Sequence, residues 1–199
     1  MTDKMEELEL RERLSLIEAM IAEGRRTTER WGWSFVLWGV AYYVAIAWTS
    51  FGKSEIAWPV TMIAAFVVTL ALAARKMRGK TATTAGRAVG AVWRGVGISL
   101  FVVLFALSMG GHVEQHTFAA IVGGLLGAAN SISSMILRWK MQFAVAVVWW
   151  AMAVAVSFGS DRVMEIAFLT ALFFCQIVFG VYCMIAESRK CKSGGLAHA

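Results

Sequence analysis

Six stretches of this chain contain no Asp, Glu, Lys or Arg, and each stretch is 19 to 23 residues long. An α-helix rises about 1.5 Å per residue, so about 20 residues cross the hydrocarbon core of a bilayer, which is about 30 Å thick. Backbone polar groups inside lipid must be hydrogen-bonded within their own segment, which requires a helix. The sequence therefore predicts an all-α fold, a polytopic membrane helix bundle with six transmembrane helices in three hairpins. The predicted spans are 31–52, 56–74, 95–113, 115–137, 141–160 and 166–186.

The overall composition agrees with a lipid environment. Of the 199 residues, 59% are hydrophobic and 16% are charged, whereas soluble domains usually carry about 25% charged residues. The lipid bilayer is therefore the first predicted partner. Residues 31–187 are predicted to form one transmembrane domain, and residues 188–199 a tail.

The distribution of Lys and Arg predicts the orientation of the spans. Seventeen of the 19 basic residues lie before the first span, after the last span, or in the connections between spans two and three and spans four and five. Only Lys53 and Arg162 fall in the other connections. Because positive charge accumulates on the cytoplasmic side, both termini are predicted to be cytoplasmic in a multi-pass membrane protein. This distribution also accounts for the net charge of +6, so no nucleic-acid partner is predicted.

Residues 1–30 are predicted to form a cytoplasmic amphipathic helix that Gly24 interrupts. Leu10, Leu14, Ile17 and Ile21 follow the spacing of one helix face. Such a helix can lie on the membrane, pack under the bundle, or pair with a partner. The eight acidic residues of this segment disfavour a lipid-surface anchor, which would have a Lys/Arg-rich polar face. We therefore expect packing against the bundle, or pairing through residues 5–23 with a cytoplasmic partner or in a homo-oligomer.

Small residues recur every four positions in the fourth predicted span. Such a ridge lets helix backbones approach closely in lipid. It predicts close packing within the bundle, with a homodimer face as the alternative. The ridge consists of Ala119, Gly123, Gly127 and Ser131.

Polar and aromatic side chains are predicted at mid-depth in several spans. Counting about 1.5 Å per residue puts them at similar depths, with Asn130 about 6 Å nearer the cytoplasm. Their polar groups need partners inside the bundle. Two interpretations remain: hydrogen bonds between helices, or a pocket for a small apolar ligand. The candidates are Tyr42, Asn130, Trp149, Trp150 and Gln176.

Catalytic signatures are missing from the sequence. There is no Walker A loop, GxSxG, HExxH or CxxC motif, and the charge-free spans disfavour proton-driven transport. His112 and His116 would share a helix face at i, i+4, as metal-binding pairs do. Two histidines are too few for a closed site, and a polar outer turn or a sensor of external pH are the alternatives. We therefore predict no metal, no cofactor and no enzymatic activity.

The chain contains the motifs Leu37-Trp38-Gly39, residues 133–140 (SSMILRWK), Trp149-Trp150 and the region of Gly180. With these motifs it resembles a broad group of small six-span bacterial inner-membrane proteins of unassigned function. The resemblance implies a multi-pass protein of the bacterial cell inner membrane. The resemblance runs from the helix at 8–23 to Arg189 and implies a topology without implying a reaction. The chain departs from the group at Ser134, where Gly is common, and at Cys183, near which Pro is common.

These features favour a non-enzymatic binding or regulatory module of the inner membrane. Its ligand would be a partner protein or a small hydrophobic molecule. The alternative is a small transporter or channel for a neutral or lipophilic solute, with a cavity lined by Asn130, Trp149, Trp150 and Gln176.

Overall fold

The computed structural model describes residues 2–52, 56–76, 84–111 and 114–196, and helix is the only regular secondary structure within them. The predicted all-α class is thereby confirmed. A π-helical segment, Phe173–Val178, joins α7 to α8 without a break. The α-helices are α1 (Thr2–Arg30), α2 (Gly32–Gly52), α3 (Ala57–Lys76), α4 (Thr84–Met109), α5 (Gln115–Leu137), α6 (Lys140–Phe158), α7 (Asp161–Leu172) and α8 (Phe179–Leu196).

Within the described residues, six helical segments are long and apolar enough to cross a bilayer. They are Met5–Gly52, Ala57–Arg75, Thr84–Leu107, Gln115–Leu137, Lys140–Phe158 and Asp161–Arg189. The first joins α1 and α2 into one helix of 48 residues, because only a turn at Trp31 separates them. This first segment begins at Met5, well before the predicted span 31–52. The difference arises because the helix also includes charged residues, which a bilayer would exclude.

The predicted interruption of α1 at Gly24 is wrong, because the helix continues to Arg30. Gly24 instead marks the point where α1 meets the bundle. A Cβ atom at this position would lie 2.6 Å from Cδ2 of Leu137 and 3.0 Å from Cβ of Ala85. The glycine therefore allows close approach to α5 and α4. A tertiary contact explains this residue better than the local preference of glycine to end a helix.

The two parts of α1 have different surroundings. Thr28 and Glu29 are buried near the end of the helix, where α1 packs on α4, α5 and α8. By contrast, the described side chains from Met5 to Met20 are exposed. The amino-terminal part of α1 therefore extends away from the bundle.

The antiparallel pair α5 and α6 forms the most closely packed part of the bundle. A Cβ at Gly123 would lie 3.0 Å from the carbonyl oxygen of Trp149, and one at Gly127 would overlap the Trp150 ring. Both glycines thus lie against α6, while Ala119 and Ser131 are buried on the same helix. The turn between the helices places Arg138 in the left-handed region, with φ at 48°.

Candidate functional site

Five polar residues are buried inside the bundle with incomplete hydrogen bonding. They come from α5, α6 and the π-helical segment, and none is more than 5% exposed. Each has at least one buried nitrogen or oxygen without a hydrogen-bond partner in the described part of the chain. A buried polar atom left unpaired costs about 1–3 kcal/mol, so such atoms can bind a polar group of another molecule. We name this set the buried polar residues: Asn130, Ser133, Gln142, Trp149 and Gln176.

Three of the five belong to the predicted polar and aromatic layer. Within the described part of the chain, their side chains make no hydrogen bond to another helix, contrary to one of the two interpretations of the sequence. The Asn130 Nδ2 donates to the carbonyl oxygen of Leu126 in its own helix at 2.9 Å, while its Oδ1 has no partner among the described residues. Trp149 Nε1 and Gln176 Oε1 likewise have no hydrogen-bond partner among the described residues. Their polar groups therefore contribute less to holding the helices together than the sequence suggested.

The other two predicted pocket residues lie elsewhere. Tyr42 is buried among aromatic rings, with T-shaped contacts to Trp58 at 5.9 Å and Phe168 at 6.3 Å between centroids. Trp150 is 38% exposed and covers Gly127 from the outside. Adjacent residues on a helix point about 100° apart, which explains why Trp149 faces inward and Trp150 outward at almost the same depth.

Two of the buried polar residues, Ser133 and Gln142, were not among the predicted pocket residues. The sequence signal for Gln142 was its spacing of seven residues, two helical turns, from the predicted pocket residue Trp149. The structure shows that the buried face of α6 contains residues 142, 145, 146, 149, 152 and 156. Gln142 is thus one turn from Val145 and two turns from Trp149, on the same face. Ser133 has no comparable signal, since it lies in a run of small polar residues at the end of α5.

The π-helical segment brings Gln176 against α2. A Cβ added at Gly39 would lie 2.9 Å from Cβ of Gln176, so α2 and this segment are in close contact. The carbonyl oxygen of Leu169, one turn before the π-helical segment, accepts a hydrogen bond from the Tyr43 hydroxyl of α2 at 2.7 Å. Single π-helical turns inside α-helices are frequent at functional sites. The wide turn thus places Gln176 where it packs against Gly39 of α2.

Arg25 fixes the base of α1 to the end of α5. Its Nε donates to the carbonyl oxygen of Leu137 at 2.7 Å, and its second guanidinium nitrogen donates to the carbonyl oxygen of Arg138. The last carbonyl groups of a helix have no partner within that helix, and a cation is favourable beside them. Arg25 thus acts as a cap on α5 from another helix.

The predicted histidine pair is only partly described. His112 lies outside the described residues. His116 bonds through Nδ1 to the carbonyl oxygen of Val156 at 2.6 Å and through Nε2 to Oδ1 of Asp161 at 2.9 Å. Both partners accept hydrogen bonds, so both can be made only by the imidazolium form. Among the described residues no group of three or more His, Cys, Asp or Glu could hold a metal ion.

A shallow groove of about 430 Å³ lies on the outer face of α8. It is separate from the buried polar residues, none of which lines it. Its lining consists of Val181, Met184, Ile185, Ser188 and Arg189.

Comparison with known proteins assigns no family. No protein-family model matches the chain, and no curated protein or solved structure shows significant similarity to it. The resemblance to small six-span bacterial proteins therefore stays a prediction.

Proposed function

We propose that this chain is a multi-pass protein of the bacterial inner membrane with both termini in the cytoplasm. The six long apolar helical segments and the accumulation of Lys and Arg at one end of the predicted spans support this assignment. Large apolar side chains on the outside of α3 and α4 support it as well. Ile63, Phe66, Phe101 and Phe105 are all more than half exposed, an arrangement that lipid favours and water does not.

We further propose that the protein is a non-enzymatic binding module that engages a partner protein through α1. The observation that carries this proposal is the exposed apolar face of a helix whose base is anchored. Leu10 and Leu14 are each 57% exposed and Ile17 is 48% exposed, while Arg25 holds the helix to α5. Apolar residues at this spacing are the usual anchors of a helix that binds a groove or another helix. We name Leu10, Leu14, Ile17 and Ile21 the α1 stripe.

The two other uses of α1 have less support. Packing under the bundle involves the last part of the helix around Gly24 and Thr28. It covers Ile21 in part and leaves Leu10, Leu14 and Ile17 exposed. Binding to anionic lipid is disfavoured because Glu9, Glu12 and Glu18 lie outside the apolar stripe, where a lipid anchor would carry Lys or Arg. A protein surface is the better match, since burying each apolar side chain of the stripe contributes about 1.5–3 kcal/mol.

Charged substitutions in the α1 stripe are expected to abolish partner binding. With Leu14→Asp and Ile17→Asp together, the amount of partner that copurifies in mild detergent should fall about tenfold or more, because two apolar anchors are lost. Quantitative mass spectrometry of the purified complexes measures this. Leu16→Asp is the matched control, because Leu16 is equally exposed but faces away from the stripe. Equal recovery from all three proteins would contradict the proposal.

A second candidate function is a small transporter or channel for a neutral or lipophilic solute. The observation that favours it is the set of unpaired buried atoms, above all Gln142, whose side-chain nitrogen and oxygen both have no partner in the described chain. Such a residue can hydrogen-bond a solute that enters the bundle. In this function the unpaired atoms are retained for binding at a cost in stability.

Gln142→Leu is expected to stabilise the purified protein. Replacing an unpaired buried amide with an apolar side chain of similar size should raise the free energy of unfolding by about 1–3 kcal/mol. Thermal unfolding in detergent measures the change, and the exposed Gln115 provides the control substitution Gln115→Leu, which should have little effect. A lower unfolding temperature for Gln142→Leu would show that the amide is satisfied and would remove the support for the second candidate.

A further inference from the structure

Three helix ends meet at His116. The residue lies in the first turn of α5, and its imidazole contacts both α6 and α7. Nδ1 is 2.6 Å from the carbonyl oxygen of Val156, and Nε2 is 2.9 Å from Oδ1 of Asp161. These partners lie 40 and 45 residues further along the chain. One side chain thus joins the start of α5 to the turn that connects α6 with α7.

The carbonyl oxygen of Val156 needs a donor whether or not the ring is charged. It is among the last four carbonyl groups of α6, which ends at Phe158, and a helix leaves these groups without an internal partner. Val156 is buried, so burial excludes water as an alternative donor. An unpaired buried acceptor is costly. The ring therefore keeps its proton on Nδ1 when it becomes neutral.

The contact with Asp161 depends on the charge of the ring. Asp161 is the first residue of α7, and its side chain is 97% exposed. A carboxylate accepts hydrogen bonds and donates none, so this contact requires a proton on Nε2 as well as on Nδ1. Only the imidazolium has both protons. In the neutral ring, Nε2 presents a lone pair to the carboxylate, and the two acceptors repel each other.

Few other charges act on the ring within the described residues. Glu114 directly precedes α5 and adds a second negative charge that attracts the imidazolium. On α7, Arg162 and Glu165 follow Asp161, and neither is hydrogen-bonded to the ring. α6 has no ionisable side chain beyond its first residue, and the charged residues of α1, α3 and α4 lie toward the opposite end of α5. Asp161 is therefore the group whose contact changes when the ring loses a proton.

We propose that His116 is a pH-dependent latch between α5, α6 and α7. The imidazolium ties Asp161, at the start of α7, to the other two helices. Loss of the Nε2 proton breaks this contact and frees the first turn of α7, while the bond to Val156 persists. The latch is closed at low pH and opens as the pH rises through the titration of the ring. On the proposed topology it lies on the external side of the membrane, but its opening does not depend on that orientation.

NMR of the ring nitrogens, in the full chain labelled at histidine and held in detergent, tests the protonation of the latch. The sequence contains three histidines, and His116→Gln identifies the signals of His116. At about pH 5.5, below the ordinary imidazole pKa of about 6.5, both ring nitrogens should be protonated. At about pH 9 only Nδ1 should be protonated, because Val156 selects this tautomer. A neutral ring at the lower pH, an imidazolium at the higher pH, or a proton on Nε2 alone would overturn the proposal.

A nitroxide label at Val163→Cys measures the release of α7. Val163 lies in the first turn of α7 and is 45% exposed, whereas Cys175 and Cys183 are buried, and Cys191→Ser removes the third thiol. The ratio of mobile to immobile label should rise about fivefold between about pH 5.5 and about pH 9, the largest change expected for an exposed ion pair. A ratio that stays the same would show that α7 is not released.

Asp161→Asn in the labelled protein should abolish this pH response. An amide accepts a hydrogen bond from the imidazolium through its oxygen and donates one to the neutral ring through its nitrogen, so the contact persists at both pH values. Glu165→Gln is the matched control, because it removes a carboxylate from the same helix that makes no hydrogen bond to the ring. It should leave the full response. A response that survives in Asp161→Asn, or that is lost in Glu165→Gln, would overturn the pairing of His116 with Asp161.

Discussion

Replacing Gly180 with alanine is expected to lower the free energy of unfolding by about 1–3 kcal/mol. A Cβ at Gly180 would lie 2.8 Å from the carbonyl oxygen of Gly32 and 3.0 Å from the backbone nitrogen of Val36. A Cβ at Gly32 would in turn lie 2.8 Å from the carbonyl oxygen of Gly180. The two helices thus cross backbone to backbone. No side chain can rotate to make room, so α2 and α8 must separate.

Gly97→Ala is the matched control for this substitution. Gly97 also lies within a helix, α4, but no atom outside its own helix backbone and chain neighbours lies within 4 Å of a Cβ built there. The stability then changes only through the higher helix propensity of alanine, so Gly97→Ala should raise the free energy of unfolding by up to about 1 kcal/mol. Unfolding of both variants in the same detergent measures the difference. If Gly180→Ala is as stable as Gly97→Ala, the close crossing of α2 and α8 is contradicted.

Substituting both glycines of the crossing extends the test. Once Gly180→Ala has moved α2 and α8 apart, Gly32→Ala should cost less than it does alone. The double variant is therefore expected to lose less stability than the two single variants combined, with a coupling of about 0.5–3 kcal/mol. Strictly additive losses would mean that the two residues do not share one contact.

Arg25→Gln is expected to release the base of α1 from the bundle. The substitution removes two hydrogen bonds from a cation to the carbonyl oxygens of Leu137 and Arg138. Hydrogen bonds to charged groups contribute about 1.5–3 kcal/mol each when well formed, and the exposed one contributes less. We therefore expect the docking of α1 to weaken by about 1.5–3 kcal/mol in all.

Hydrogen exchange of the backbone amides in residues 24–30 measures this release. Exchange should accelerate about tenfold or more in Arg25→Gln, since each 1.4 kcal/mol corresponds to about a factor of ten. Arg26→Gln is the control. Its side chain is more than half exposed, and its ion pair with Glu23 spans 3.7 Å, so exchange should change little. Unchanged exchange in Arg25→Gln would show that apolar contacts around Gly24 hold α1 without the arginine.

The six long apolar helices could be predicted from the sequence because length and the absence of charge suffice for them. The fourth charge-free stretch and α5 share the bounds 115 and 137. The depth of a residue along a helix also follows from counting, since each residue adds about 1.5 Å. Asn130, Trp149 and Gln176 could therefore be selected as candidates before any helix was placed beside another.

Only the tertiary structure decided which way each side chain faces. Trp149 is buried and Trp150 is on the surface because Gly123 and Gly127 seat α5 against one side of α6. Gly24 continues a helix because Leu137 and Ala85 lie against it, although its local preference is to end one. Orientation around a helix axis depends on contacts between distant parts of the chain, and hydrophobicity that is nearly uniform around a helix does not encode it.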